Sequence, residues 1–364
     1  MEESEINDIR DKSEFKGKTF SEFKKCDVKK ELLKSLYHSK IEPACYWSAE
    51  LVCASHYLDL WDIIIDFYSR HIHTGNPKLI IYLDKRMNDF KEIVNGGYSN
   101  QELRLRNSMK IRKLFCEIMC ILCESKKQHS YDEIKVKKED FELNEIQMTE
   151  RFKAPNTSYA ESIYQKGDPK EIFIAINELA FHLSVEGKNA VHSCYWIEWI
   201  IDFEILFKKE KEKEKVKDKF CCERRNFAPV DHKNQMDIIW MIWDIFLKES
   251  AKRNPLIQKI VKSALEIFGL KYTLGTIRKR KLLMYFVVGI LTENGNLMEE
   301  MIKEKHKIAS VMEQINNVYL QIKKNEHSPG TDYLYTNVKA SNLEKTIAKL
   351  ETMKHFQTEF IPRI

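Results

Sequence analysis

The triplet Cys45-Tyr46-Trp47 returns as Cys194-Tyr195-Trp196, each time inside a long apolar run. The first run reads EPACYWSAELVCASHYLDLWDIIIDF and the second VHSCYWIEWIIDFEILF. Four further landmarks recur in the same order. Asp27 matches Asp168, Trp61-Asp62-Ile63 matches Trp243-Asp244-Ile245, Asn76-Pro77 matches Asn254-Pro255, and Ile111-Arg112-Lys113 matches Ile277-Arg278-Lys279. All six tryptophans lie at or within three residues of these landmarks. Ordered self-similarity of this kind is the mark of a duplicated unit. The spacing is unequal, because the second copy carries an insertion between Trp196 and Trp243. Two unrelated helical domains are the alternative reading.

The unit is helical. Trp47, Leu51, Ala54, Leu58, Trp61 and Ile65 recur at steps of three and four, so they share one helix face. Eight prolines and eleven glycines in 364 residues favour long helices over a turn-rich β fold. The spacing predicts helices opening at Asp27 and at Pro43, then over 79–94 and 108–124. A second set starts after Asp168-Pro169, continues through the second triplet to Phe207, and covers 235–250, 255–268 and 278–292. Met301, Ile308, Met312, Ile315, Tyr319 and Ile322 form a heptad seam. Ser328-Pro329-Gly330 breaks it, and a last helix from Leu343 to Phe356 folds back as a hairpin, expected to pack on its own chain, with a second subunit as the alternative.

The fold expected is therefore all-α, with two related multi-helix domains in tandem and a C-terminal helical hairpin. The boundaries are 1–20 for a flexible N-terminus, 21–130 for the first domain and 131–160 for a linker. The second domain takes 161–294, with a charged insertion at 208–234, and the hairpin takes 295–364. With 43% hydrophobic and 32% charged residues the chain can bury a core. No apolar run reaches the roughly 18 residues of a membrane span, and the polar start resembles no signal peptide. Nine cysteines, mostly in apolar stretches, point to free thiols in a reducing compartment, not to secretion.

No phosphate-loop, dinucleotide, nucleophile-elbow or zinc-protease motif is present. Cys116, Cys120 and Cys123 share a helix face, with His129 beyond. Their apolar neighbours favour core packing over zinc. Cys221, Cys222 and His232 offer a weaker ligand set. His71 and His73 fit helix-end capping better than acid–base work. Glu50 and Glu198 suggest a buried acid–base pair but fall one residue out of register between the copies. Asp62 and Asp244 do align, each after a tryptophan, and read as hydrogen-bonded helix contacts. No catalytic residue, cofactor or metal is assigned.

Basic clusters remain. Arg104, Arg106, Lys110, Arg112 and Lys113 precede or open one predicted helix. Arg278, Lys279, Arg280 and Lys281 do so for its counterpart, and Arg224 and Arg225 add a third patch. Positive charge at a helix N-terminus opposes the dipole, so local helix stability does not account for it. Contact with phosphates or an acidic partner would; an ordinary solvated face is the alternative. A net charge of +5 does not by itself imply nucleic-acid binding.

The segments EPACYWSAEL, HTGNPKLIIYLDKR, FIAINELAFH and CYWIEWI resemble a family of helical proteins, without assigned activity, in nucleocytoplasmic large DNA viruses (giant viruses of protists and algae). The resemblance covers roughly residues 20–290. It implies a viral origin and a place in the host cytoplasm, at the viral factory, or in the virion. Two tandem helical units also look like the double cyclin fold of a general transcription initiation factor, an analogy of fold alone. The function expected is a non-enzymatic scaffold or accessory protein in replication, gene expression or virion assembly. A protein partner is expected and nucleic acid is a candidate partner. The rival reading is a helical enzyme with its site between the halves.

Overall fold

The computed structural model describes residues 4–98, 101–141, 151–213, 220–293, 297, 299–302 and 304–327. These residues hold 13 α-helices and no strand, so the chain is all-α. The first five are α1 Lys25–Tyr37, α2 Ile41–Cys53, α3 Tyr57–Phe67, α4 Leu79–Asn95 and α5 Met109–Glu124. The next six are α6 Phe173–Leu183, α7 Ala190–Lys213, α8 Ile239–Ala251, α9 Pro255–Phe268, α10 Leu274–Lys279 and α11 Lys281–Thr292. The last two are α12 Lys305–Glu313 and α13 Ile315–Lys323. No helix among the described residues is long and apolar enough to cross a membrane.

The tryptophan-bearing helices lie in the core. Trp61, Trp196, Trp199, Trp240 and Trp243 are at most 1% exposed. Trp47 is half-buried, with Phe23 edge-on to its ring. α2 packs on α1, α3 and α5, while α7 packs on α6 and α11. α9 bridges the halves: it lies against α4 on one side and α8 and α11 on the other. The described residues of 4–6 and 11–325 form one compact unit, so the two halves share a continuous core. The described parts of 131–160 belong to it. Trp199 Nε1 donates to the Asp140 carbonyl at 2.9 Å, and the N–H groups of Lys153 and Ala154 donate to Glu178 at 2.9 and 3.1 Å. A second unit, Asn7–Arg10 with Glu326–Ile364, is described at 7–10 and 326–327, where the N–H of Ile9 donates to the His327 carbonyl.

Several sequence expectations need correction. Residues 11–20 are not a loose terminus: Phe15 and Phe20 are 1% and 0% exposed and stack on each other at 6.0 Å. Two aromatics among polar neighbours suffice to tie the segment down, and the composition average hid them. Asp27 is not an N-cap; the helix starts at Lys25 and Asp27 sits exposed in its first turn. The heptad seam does face the core, with Ile308, Ile315, Tyr319 and Ile322 buried. It is divided at Gln314 into α12, which packs on α5, and α13, which packs on α2 and α5. The expected helix at 343–356 lies outside the described residues.

Between α3 and α4 the chain makes a π-turn, Tyr68–Ile72, and then a 3-10 turn, His73–Gly75. His73 has φ +44°, uncommon for a residue with a Cβ. The turn nests on α11 at Gly289. A Cβ there would stand 2.9 Å from Thr74 Cγ2, 3.1 Å from the Tyr131 hydroxyl and 3.3 Å from His73 Cε1. Gly289→Ala should therefore destabilise the protein by about 1–3 kcal/mol through overpacking, against the roughly 1 kcal/mol gain that alanine brings in a free helix. Equilibrium urea unfolding decides it; a stabilised variant would show that the turn moves aside without cost.

Candidate functional site

Eleven cations were candidates to face a partner, and they divide by burial. Arg106, Arg112, Arg225 and Arg280 are between 2% and 6% exposed. Their charge is directed inward. Arg112 donates to the Arg106 carbonyl (2.7 Å), to Ser4 and to Asn107, and its guanidinium lies 4.1 Å from the centre of the Tyr319 ring. Arg280 donates to the carbonyls of Phe268 (2.9 Å) and Leu270 (2.6 Å) at the end of α9, and to Asp62 (2.8 Å). A cation at a helix C-terminus complements the dipole and satisfies orphan carbonyls. Arg225 pairs with Asp168 at 2.6 Å. The Arg106 guanidinium lies over the Phe20 ring, 5.8 Å from its centre. These four are withdrawn from the predicted contact surface, because they bind neighbouring elements of their own chain. Lys281 is partly buried between Glu198 (3.1 Å) and Glu133 (3.2 Å). Arg104, Lys110, Lys113, Arg224, Arg278 and Lys279 are exposed.

One of the exposed cations lies in a cavity with others. Arg278 on α10 lines a groove of about 390 Å³ together with Lys208 and Lys209 on α7. Its floor is apolar, with Ile201, Ile205 and Ile277, and Leu274 stands 57% exposed at its edge. Thr273 and Thr276 form a capping box that fixes the start of α10, and buried Ile277 anchors it. Glu204 is the acidic residue of the groove; Lys208 pairs with it at 2.5 Å, and burial raises its carboxyl pKa. Three cations over an apolar floor suit a phosphodiester strand, whose charge meets the cations and whose sugars and bases meet the isoleucines and leucine. In the sequence Lys208 and Lys209 are only the first residues of the charged insertion at 208–234. Only the approach of α10 to α7 makes them part of a groove.

The other candidate groups meet structural partners. Glu50 accepts from Ser21 N (3.0 Å) and Oγ (2.5 Å), whereas Glu198 accepts from Tyr285 (2.6 Å) and Lys281. Burial, and then the charge of Glu198, pushes the Tyr285 phenol pKa up, so it stays a donor. The two carboxylates have no partner in common, so the structure does not assemble them as an acid–base pair. Of the repeated Trp-Asp aspartates, Asp62 accepts a hydrogen bond from Arg280 across helices, whereas Asp244 meets Lys248 one turn on along its own helix and lies 3.4 Å from Arg225 of the irregular segment 220–235, so the expected helix–helix contact holds for Asp62 alone. Cys222 Sγ lies 3.4 Å from the Met236 and Asp237 carbonyls, and His232 is hydrogen-bonded to Gln235. His71 lies edge-on to His129 at 5.5 Å. Cys116 and Cys120 meet neither Cys123 nor His129 in a ligand cluster; their third member is Cys45.

No protein-family model, no curated protein and no solved structure matches the chain.

Proposed function

We propose that the protein is a non-enzymatic scaffold or accessory factor that holds a single nucleic-acid strand in the groove between α7 and α10. The observation that carries this reading is the convergence of Lys208, Lys209 and Arg278 on an apolar floor. On the viral resemblance, the setting is replication, gene expression or virion assembly in an infected host cell, with protein partners as well. The ancestry that fits is a duplication. The two Cys-Tyr-Trp triplets fall on α2 and α7 and Trp61 and Trp243 on α3 and α8, and the packing of α1 on α2 has a counterpart in that of α6 on α7; Ile111-Arg112-Lys113, by contrast, opens α5, whereas Ile277-Arg278-Lys279 ends the short α10.

Retention on a single-stranded oligonucleotide column tests the reading. Each phosphate contact to a single strand contributes roughly −0.7 to the slope of log affinity against log salt. Reversing Lys208, Lys209 and Arg278 to glutamate should flatten that slope by about 2 and elute the protein at lower salt. The same reversal at Arg104 and Lys113 should change it less. Wild-type protein that passes straight through at low salt would remove nucleic acid from the proposal.

A further inference from the structure

The thiols of Cys45, Cys116 and Cys120 converge from two helices. Cys45 sits in the second turn of α2, and Cys116 and Cys120 are one turn apart on α5, the helix against which α2 packs. Their three sulfurs lie within 4.8 Å of one another, with Cys45 and Cys116 at 3.8 Å. All three residues are at most 1% exposed. Metal–thiolate bonds of about 2.3 Å place sulfur pairs about 3.8 Å apart in a tetrahedral site and about 4.0 Å apart in a trigonal one. The cluster already has nearly that spacing, so a metal would need little movement of either helix.

We propose that this cluster is a three-sulfur site for a soft closed-shell cation, Cu(I). Sulfur ligands select soft ions. Coordination number then separates the two common choices. Zn(II) takes a fourth ligand, either a side chain or a water at an open position. Among the described residues no fourth histidine, cysteine or carboxylate joins the group, and all three thiols are shielded from bulk solvent. Cu(I) is content with three sulfurs. Coordination as thiolate displaces a thiol proton, so loading releases protons and tightens as pH rises. Bound metal would pin α2 to α5 at the centre of the first half.

The full chain, with exposed Cys26 and half-buried Cys221 replaced by serine to remove competing thiols, is titrated anaerobically with Cu(I) against a chromogenic Cu(I) chelator. Because the site is closed, the titration is run on native protein and on protein refolded from urea with the metal present. One equivalent taken up in either arm, with ultraviolet thiolate-to-copper absorbance and a raised unfolding temperature, is the expected result. Cys45→Ala and Cys120→Ser, each shown to be folded by its helical circular dichroism, should weaken uptake by about tenfold or more, since even changes in outer-shell partners cost about 10–100-fold. No uptake in either arm, or uptake that both variants retain, would overturn the proposal. So would stoichiometric Zn(II) that Cu(I) fails to displace.

Discussion

Arg225→Ala should cost the fold about 3–5 kcal/mol, the loss typical when one partner of a buried ion pair is removed. Arg225 and Asp168 have side chains 1% and 0% exposed and pair at 2.6 Å. The same guanidinium donates to the Ile163 carbonyl at 3.0 Å, and its Nε lies 3.4 Å from Asp244 Oδ2, near enough for attraction though not aligned as a hydrogen bond. Asp168 also accepts from the N–H groups of Gln165 and Glu223, both at 2.8 Å. One arginine therefore joins the entry to α6, the irregular segment 220–235 and α8. Alanine strands a carboxylate where water cannot reach it. Arg225→Met with Asp168→Leu removes both charges and should recover part of the loss but not all of it, because the N–H groups of Gln165 and Glu223 and the Ile163 carbonyl lose their partners. Equilibrium urea unfolding measures all three variants. A single variant that loses less than about 1 kcal/mol, the value of an exposed pair, would show that the site opens to solvent.

That arginine also marks the limit of what the sequence revealed. Helix order was legible because it depends on local periodicity: α4, expected over 79–94, runs Leu79–Asn95, and α9, expected over 255–268, runs Pro255–Phe268. Core tryptophans were legible because large aromatics at steps of three and four have nowhere else to go. The buried arginines were not. Arg280 is answered by carbonyls 10 to 13 residues back, at the end of α9 and just past it, and by Asp62, 218 residues away. A cation near the start of one helix opposes that helix's dipole, yet here it completes the end of another, and no local pattern says which. The cysteines fail for the same reason. Spacing placed Cys116, Cys120 and Cys123 on one face, whereas the partner that selects two of them comes from α2, 71 residues from Cys116.

His73 should make the protein acid-labile well above the range in which carboxylates titrate. Its ring is 1% exposed, edge-on to Tyr131 (5.3 Å) and Phe286 (5.9 Å), and burial lowers its pKa from 6.5 to about 4. Above pH 6.5 the imidazole is neutral in folded and unfolded chains alike, and proton binding leaves stability unchanged. Below 6.5 the unfolded chain takes up a proton that the folded chain refuses until about pH 4, so stability falls as pH drops through that window. At about 1.36 kcal/mol per pH unit the loss by pH 4.5 is about 2–3 kcal/mol. His71 and His192, also lowered by burial, act in the same direction. Buried carboxylates with raised pKa, such as Glu204, Asp237 and Asp244, act oppositely, because their folded forms hold protons more tightly. The comparison to make is therefore wild type against His73→Phe, by urea unfolding at pH 7.5, 5.5 and 4.5. Phenylalanine keeps an aromatic ring between Tyr131 and Phe286 and inherits the backbone strain at φ +44°. At pH 7.5 it should be close to or below wild type; by pH 4.5 it should have gained about 2–3 kcal/mol relative to it. Parallel pH profiles for the two proteins would mean that the ring is protonated in place or swings out to solvent, and that the turn at 68–75 opens far more readily than its packing on α11 indicates.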